Sequence, residues 1–235
     1  MIIDITKSGY RKGYLPKTGV GVFHPFFATA NAAFRKSVLE EVGGFDTRCA
    51  TGEDIDLSIR VARAGYELWF EPTAKIAHFH RHTLSGLLKQ WFHYGLGHAY
   101  LFRKHDPRRR LQVYRYDLSP RNDNPLGIAR VLNIPFAVPT MVFLSSFHVM
   151  NAAAVVAAVT WASGAEGLFA VAAATFVGSA AWYFGIRFDS RTPLRSLAFS
   201  GLRYLADAAY VAGGFLGGLG EGMIYLEATR TRKRR

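Results

Sequence analysis

The sequence predicts an α/β domain followed by an α-helical transmembrane region. Three observations carry this. Residues 28–104 switch between helix-like and strand-like apolar periodicity, with glycine and proline at the joints. No residue from Val131 to Ala165 is Asp, Glu, Lys or Arg, and 167–186 is again uncharged; a membrane helix needs about 20 mostly apolar residues. The excess of 29 Lys and Arg over 17 Asp and Glu gathers in "RKHDPRRR", at Arg115, Arg121 and Arg130, and again after Arg187.

Taken in order, "RKSVLEEVGGFD" (35–46) predicts a short helix closed by glycine. "GEDIDLSIRVARAG" (52–65) predicts a second helix with Ile55, Ile59 and Ala62 on one face. Arg60 and Arg63 come late in it, where cations complement the helix dipole, and Gly65 stops it. "YELWFEP" reads as a strand ended by Pro72, and "AKIAHFH" (74–80) as another. "TLSGLLKQWFHYGLGHAYLF" (83–102) predicts a longer amphipathic helix. Its apolar side holds Leu84, Leu87, Leu88, Trp91, Phe92, Gly95, Ala99 and Phe102. Residues 105–130 follow as a basic linker, and 131–235 as a membrane region. Spans are expected near 134–161 and 167–186, with an amphipathic or re-entrant segment near 194–226. In that last segment the uncharged core, Ala208–Gly220, is short for a span, and the glycines of "GGFLGGLG" weaken a plain helix. The alternative to two spans is a pair of buried core helices.

Positive charge sets the orientation. The linker and the loop after the second span are rich in arginine, whereas the "SGAE" turn between the spans has no cation. The soluble part, the post-hairpin loop and the C-terminal tail are therefore expected on the cytoplasmic side of the inner membrane, in a multi-pass arrangement. The basic residues are expected to meet anionic membrane lipids. They do not suggest nucleic acid, because no folded recognition element carries them. Cys49 is the single cysteine, so an intramolecular disulfide is excluded. "MIIDITKSGYRK" lacks the apolar core of a secretory signal.

Against this basic background Asp46, Glu53, Asp54 and Asp56 cluster. Glu53 and Asp54 fall in the first turn of the predicted second helix, where free N–H groups and the dipole stabilise carboxylates. Such an ionised carboxylate is good capping chemistry, and it is also what a general base requires. Asp54-Ile55-Asp56 spells D-x-D, but on a helix residues two apart point about 200° apart and do not readily grip one ion. "HFHRH" has the look of a zinc tract, yet no cysteine partner lies near it.

The stretch from Ala28 to about Ala99 resembles the second half of the catalytic domain of family 2 inverting glycosyltransferases. The marks are Asn31 with Phe34-Arg35, Gly44-Phe45-Asp46, Gly52-Glu53-Asp54 with Asp56-Leu57 and Arg60, and Gly65. They continue through Pro72 and Ala74, His78, Arg81, Gln90 and Tyr94-Gly95. The resemblance implies a partial GT-A-like (Rossmann-like) fold over 1–104, the acceptor-side half of the domain. It implies transfer of a sugar from a nucleotide-sugar to a glycan or lipid-linked acceptor with inversion, in polysaccharide or cell-envelope synthesis. Asp54 would be the general base, with Glu53 beside it. Asn31, Asp46, Arg81, Gln90 and Trp91 would bind substrates, and His78 would help hold a divalent cation, Mg²⁺ or Mn²⁺. Trp91 is equally explained as core, and His78 as a buried histidine. The family's N-terminal nucleotide-binding half, with its strand-borne D-x-D, has no counterpart in residues 1–27. A partner chain supplying that half is therefore an expectation, as is the alternative of a non-catalytic scaffold or pseudoenzyme.

Overall fold

The computed structural model describes residues 26–71, 73–77, 79, 81–116, 128–185 and 188–228, with the backbone alone at 13–15, 70, 116 and 128. Helix α1 (Lys36–Glu41) ends at Gly43 and Gly44, whose φ angles of 78° and 64° suit only glycine without strain. Helix α2 (Glu53–Arg63) buries Leu57 and Val61 against Val38 of α1 and Leu68, with Phe27, Phe34 and Tyr66 at the edge of the cluster. Strand β2 (Leu68–Phe70) pairs antiparallel with β1 (Gly13–Leu15). The strand expected over 74–80 reduces to a single bridge at Ala77 among its described residues; His78 and His80 lie outside them. Helix α3 (Leu84–His105) starts at Thr83, whose Oγ1 accepts from the Gly86 amide at 3.1 Å.

The largest departure from the sequence expectation lies between 105 and 145. The basic linker contains strand β3 (Arg110–Tyr116) and the start of β4 (Ile128–Pro135), and the expected first span opens with the end of β4 and with β5 (Thr140–Leu144). With β6 (Ile224–Leu226) they form one sheet, in the order β4-β3-β5-β6. Its β3–β4 pair is antiparallel, while β3–β5 and β5–β6 are parallel. An uncharged apolar run does not by itself choose helix over strand. Pro135 and Pro139 break any helix there, and Gln112 and Tyr114 alternate inward with period two. Tyr114, Met141, Phe143 and Tyr225 pack with Ala99 and Phe102 of α3 to make the central core.

The rest is helical. Helix α4 (Ser146–Ala162) has 17 residues and α5 (Glu166–Gly185) has 20, joined through Gly164 at φ 72°. α5 is long and apolar enough to cross a membrane, and only 11% of its apolar window is buried in the fold. α4 is apolar but shorter. The expected two spans thus become one helix of spanning length and one below it.

Helix α6 runs without interruption from Pro193 to Gly220, 28 residues, where an amphipathic or re-entrant segment is expected; the unbroken helix departs from the re-entrant alternative. Its glycines are contact positions. A Cβ on Gly213 would lie 2.0 Å from the carbonyl oxygen of Phe92 in α3, and one on Gly95 would lie 2.2 Å from that of Tyr210. The two backbones touch, and that packing offsets the weak helix propensity of glycine.

Candidate active site

Asp54 sits in the first turn of α2, behind a helix cap that only glycine fits. Gly52 has φ 81°, and a Cβ there would strike Leu101 Cδ1 of α3 at 2.5 Å. The preceding residue fixes the other coordinate. Thr51 Oγ1 donates to the His93 carbonyl at 2.7 Å, and a Cβ on Gly97 would fall 2.0 Å from that same Oγ1. The start of α2 is therefore seated directly on the backbone of α3.

The Asp54 carboxylate accepts from the Ile55 amide at 2.8 Å and from the Thr29 amide. Thr29 begins the short 3-10 turn Thr29–Asn31, and Asn31 Nδ2 donates to the Ala74 carbonyl at 2.7 Å. The Asn31 turn, the 71–77 loop and α3 thus converge on the start of α2. Burial, with the neighbouring Glu53 charge adding to it, raises the Asp54 carboxyl above its ordinary range; the Ile55 and Thr29 amides partly offset this. A carboxylate of raised pKa, held at a helix N-terminus, is a stronger base than a solvated one.

The other two aspartates are occupied within the fold. Asp56 is 0% exposed. It meets Arg60 Nε at 2.8 Å, Lys104 Nζ at 2.6 Å and His105 Nε2 at 2.8 Å. Arg63 donates to His105 Nδ1 at 3.0 Å, so that nitrogen must accept. His105 is then the neutral Nε2–H tautomer, donating to Asp56. Burial lowers the His105 pKa, which agrees with the neutral form. Arg60 continues the clamp by donating to the carbonyls of Val42 and Gly44.

Asp46 is bound by Arg48, by Tyr100 Oη at 2.8 Å and by Lys104 Nζ at 2.8 Å. The Arg48 and Lys104 contacts hold its carboxyl well below the usual carboxylate range. The geometry makes Asp46, named from sequence among the binding residues, a brace between the 44–48 loop and α3. Cys49 is buried nearby, and burial together with the Asp56 charge pushes its thiol up to about 11.

Gln90 and Trp91 lie on the first half of α3. Gln90 Nε2 donates to Tyr94 Oη at 2.8 Å, and Trp91 makes edge-to-face contacts with Tyr94 and Tyr210 at 5.7 and 5.9 Å. Arg81 is exposed just before α3. No group of three His, Cys, Asp or Glu able to hold a metal occurs among the described residues. The D-x-D pair does not supply one, because both Asp56 oxygens are taken by cations and His105. The described residues therefore do not fit a divalent-cation site, and His78 lies outside them.

Sequence reasoning missed Thr51, Gly97, Lys104 and His105. An interior helix glycine such as Gly97 was the available signal, but its contact with Thr51 spans 46 positions of sequence and no local pattern reveals it.

Comparison with known proteins identifies the family. A family model described as glycosyl transferase family group 2 matches residues 17–202. The succinoglycan biosynthesis protein ExoA of Rhizobium meliloti is 29% identical over 137 residues, covering 58% of this chain and 36% of ExoA. The pre-mycofactocin glycosyltransferase of Mycobacterium tuberculosis is 38% identical over 80 residues, 34% of this chain and 17% of that protein. The O-antigen chain rhamnosyltransferase WbaN of Salmonella anatum is 31% identical over 80 residues, 34% of this chain and 25% of WbaN. The chain spans about a third or less of the length of these curated relatives. No solved structure matches it.

Proposed function

Since this chain belongs to glycosyl transferase family group 2, we propose that it forms the acceptor side of a membrane-bound glycosyltransferase with Asp54 as general base. The donor is a nucleotide-sugar and the acceptor a glycan or lipid-linked hydroxyl. The acceptor oxygen attacks the anomeric carbon from the face opposite the leaving group. The new C–O bond forms as the bond to the nucleoside diphosphate breaks, and the hydroxyl proton passes to Asp54. Inversion follows from this single displacement.

The observation that carries the reading is Asp54 itself. It is a partly buried carboxylate of raised pKa, seated on α3 and matching the family's Glu-Asp motif. Gln90, Trp91 and Asn31 would orient the acceptor, and Arg81 would face the phosphates. The donor-binding half would come from βαβ units outside the described residues, on the same polypeptide or on a partner. α4 and α5 would cross the inner membrane as a hairpin, α4 at the lower limit of spanning length, with the "SGAE" turn outside and the catalytic part in the cytoplasm.

The test joins residues 28–235 to a family donor-binding half that restores sugar transfer, then changes Asp54→Asn. Turnover should fall about 10²–10⁴-fold with little change in donor affinity. The unchanged protein should lose turnover on acidification through a pKa above the ordinary aspartate value, because the base must be deprotonated. Near-normal turnover of a folded Asp54→Asn protein would remove the assignment. Topology is tested with cysteines at Ser163 and Arg195 in a Cys49→Ser background. An impermeant thiol reagent applied to intact cells should label only the first.

A further inference from the structure

The four-stranded sheet carries large apolar side chains on both faces. Its inner face carries Tyr114, Met141, Phe143 and Tyr225 against α3. The alternate positions, Leu111, Val113, Leu132, Ile134, Val142 and Leu144, share the outer face by strand alternation and register. Leu132, Ile134 and Leu144 are 37%, 44% and 45% exposed. Leu111, Val113 and Val142 are half-buried and Thr140 on the same face is buried, so the exposed part lies along β4 and the end of β5. A sheet facing water on one side normally alternates apolar with polar; this one does not.

Two further features indicate what covers it. The face continues into the α4–α5 hairpin, since β5 ends at Leu144 and α4 begins at Ser146. The hairpin's own aliphatic side chains, Val155, Val159 and Val171, are 61–66% exposed. Along β3 the outer positions read Leu111, Val113, Arg115, and Arg109 immediately precedes the strand, so arginines stand at both ends of the aliphatic centre in sequence. Their placement complements anionic headgroups around an apolar contact.

We infer that the outer face of this sheet rests on the membrane surface, in the boundary between headgroups and acyl chains of anionic lipid, beside the hairpin. Among the described residues β4 is an edge strand, which keeps the sheet at that level, because unpaired strand groups are not tolerated in hydrocarbon. The catalytic part would then be docked at a fixed height, by a sheet rather than by a helix alone. The inference rests on the proposed membrane crossing of α5.

The test uses the full chain in phosphatidylglycerol/phosphatidylcholine vesicles, with Cys49→Ser and single cysteines carrying an environment-sensitive fluorophore. Labels go at Ile134, Leu144, Val177 in α5 and Lys36 in α1. Lipids bearing a nitroxide near the headgroup should quench Ile134 and Leu144 several-fold more than lipids with a deep nitroxide. Val177 should show the reverse, and Lys36 should show neither. Quenching at Val177 with none at Ile134 or Leu144 would overturn the sheet contact while leaving the α5 crossing intact. No quenching at any position would instead remove the membrane crossing, and the inference with it. Quenching between labelled copies at Ile134, without lipid quenching, would give the face to a second copy of the chain and likewise refute the lipid contact. Two label sites guard against one substitution disturbing the strand.

Discussion

Helix α3 is held on its two flanks by opposite means. On the α2 side, buried charges do the holding, with Asp56 and Asp46 sharing Lys104 and Asp56 also binding Arg60 and His105. On the α6 side the backbones touch through Gly95, Gly213 and Gly217, and His98 of α3 meets Tyr210 of α6 and Glu227 beside them. The first kind of contact is directional, titratable and costly to break halfway. The backbone contacts of the second depend on shape. The catalytic candidate sits on the directional flank, where the position of one carboxylate matters. Helix α6 sits on the shape-dependent flank.

Breaking the polar flank should have the largest effect. Asp56→Ala leaves Lys104 and Arg60 without their buried carboxylate, and such half-broken pairs cost about 3–5 kcal/mol. Thermal unfolding in detergent should show this as a large drop in Tm. An unchanged Tm would mean that the network is ornamental to stability.

On the shape flank, Gly213→Ala places a methyl 2.0 Å from the Phe92 carbonyl oxygen. Overpacking of this kind costs about 1–3 kcal/mol. The loss should be similar at pH 5 and pH 8, because the added methyl meets a backbone carbonyl and not the His98–Glu227 pair. A pH-dependent loss would erase the distinction between the flanks.

The pH dependence itself sharpens the comparison. Burial lowers the folded-state pKa of His105, with Arg63 and Lys104 also opposing its charge and Asp56 partly offsetting them. The unfolded chain therefore takes up a proton first. Stability from keeping this ring neutral is complete above its ordinary value of about 6.5. It declines as pH falls from there through the folded pKa. The Asp56 and Asp46 carboxyls are lowered by their hydrogen-bonded cations, so their contribution persists until the pH falls below the ordinary carboxylate range of about 4. Between pH 7.5 and 5 the wild-type Tm should decline modestly, and His105→Gln should flatten that slope.

The smallest effect is expected at Thr51. Thr51→Val removes one hydrogen bond to the His93 carbonyl and keeps the shape, a loss of about 0.5–1.5 kcal/mol. Any fall in turnover of the restored enzyme should exceed what this stability change explains, because Thr51 seats the start of α2 that carries Asp54. Full turnover would show that Gly52 and Gly97 suffice to place it.

The sequence by itself determined the local features. Glycines at 43, 44 and 65 announced helix ends because glycine accepts the left-handed backbone found there. The 3.6-residue periodicity within 52–65 and 83–102 located α2 and α3, and the ordered motif series marked the family. It did not determine the fate of the uncharged stretch 131–145. Hydropathy reports burial rather than conformation, and only pairing with β3 and β6 made that stretch a sheet. Nor could it say that Arg60 and Arg63, apt on helix-dipole grounds alone, reach the α1 turn and His105. The glycines of α6 read as a weakness until α3 lay against them. Each of these depends on residues distant in sequence becoming neighbours, and only the tertiary structure decides which charge meets which and which backbone a missing side chain admits.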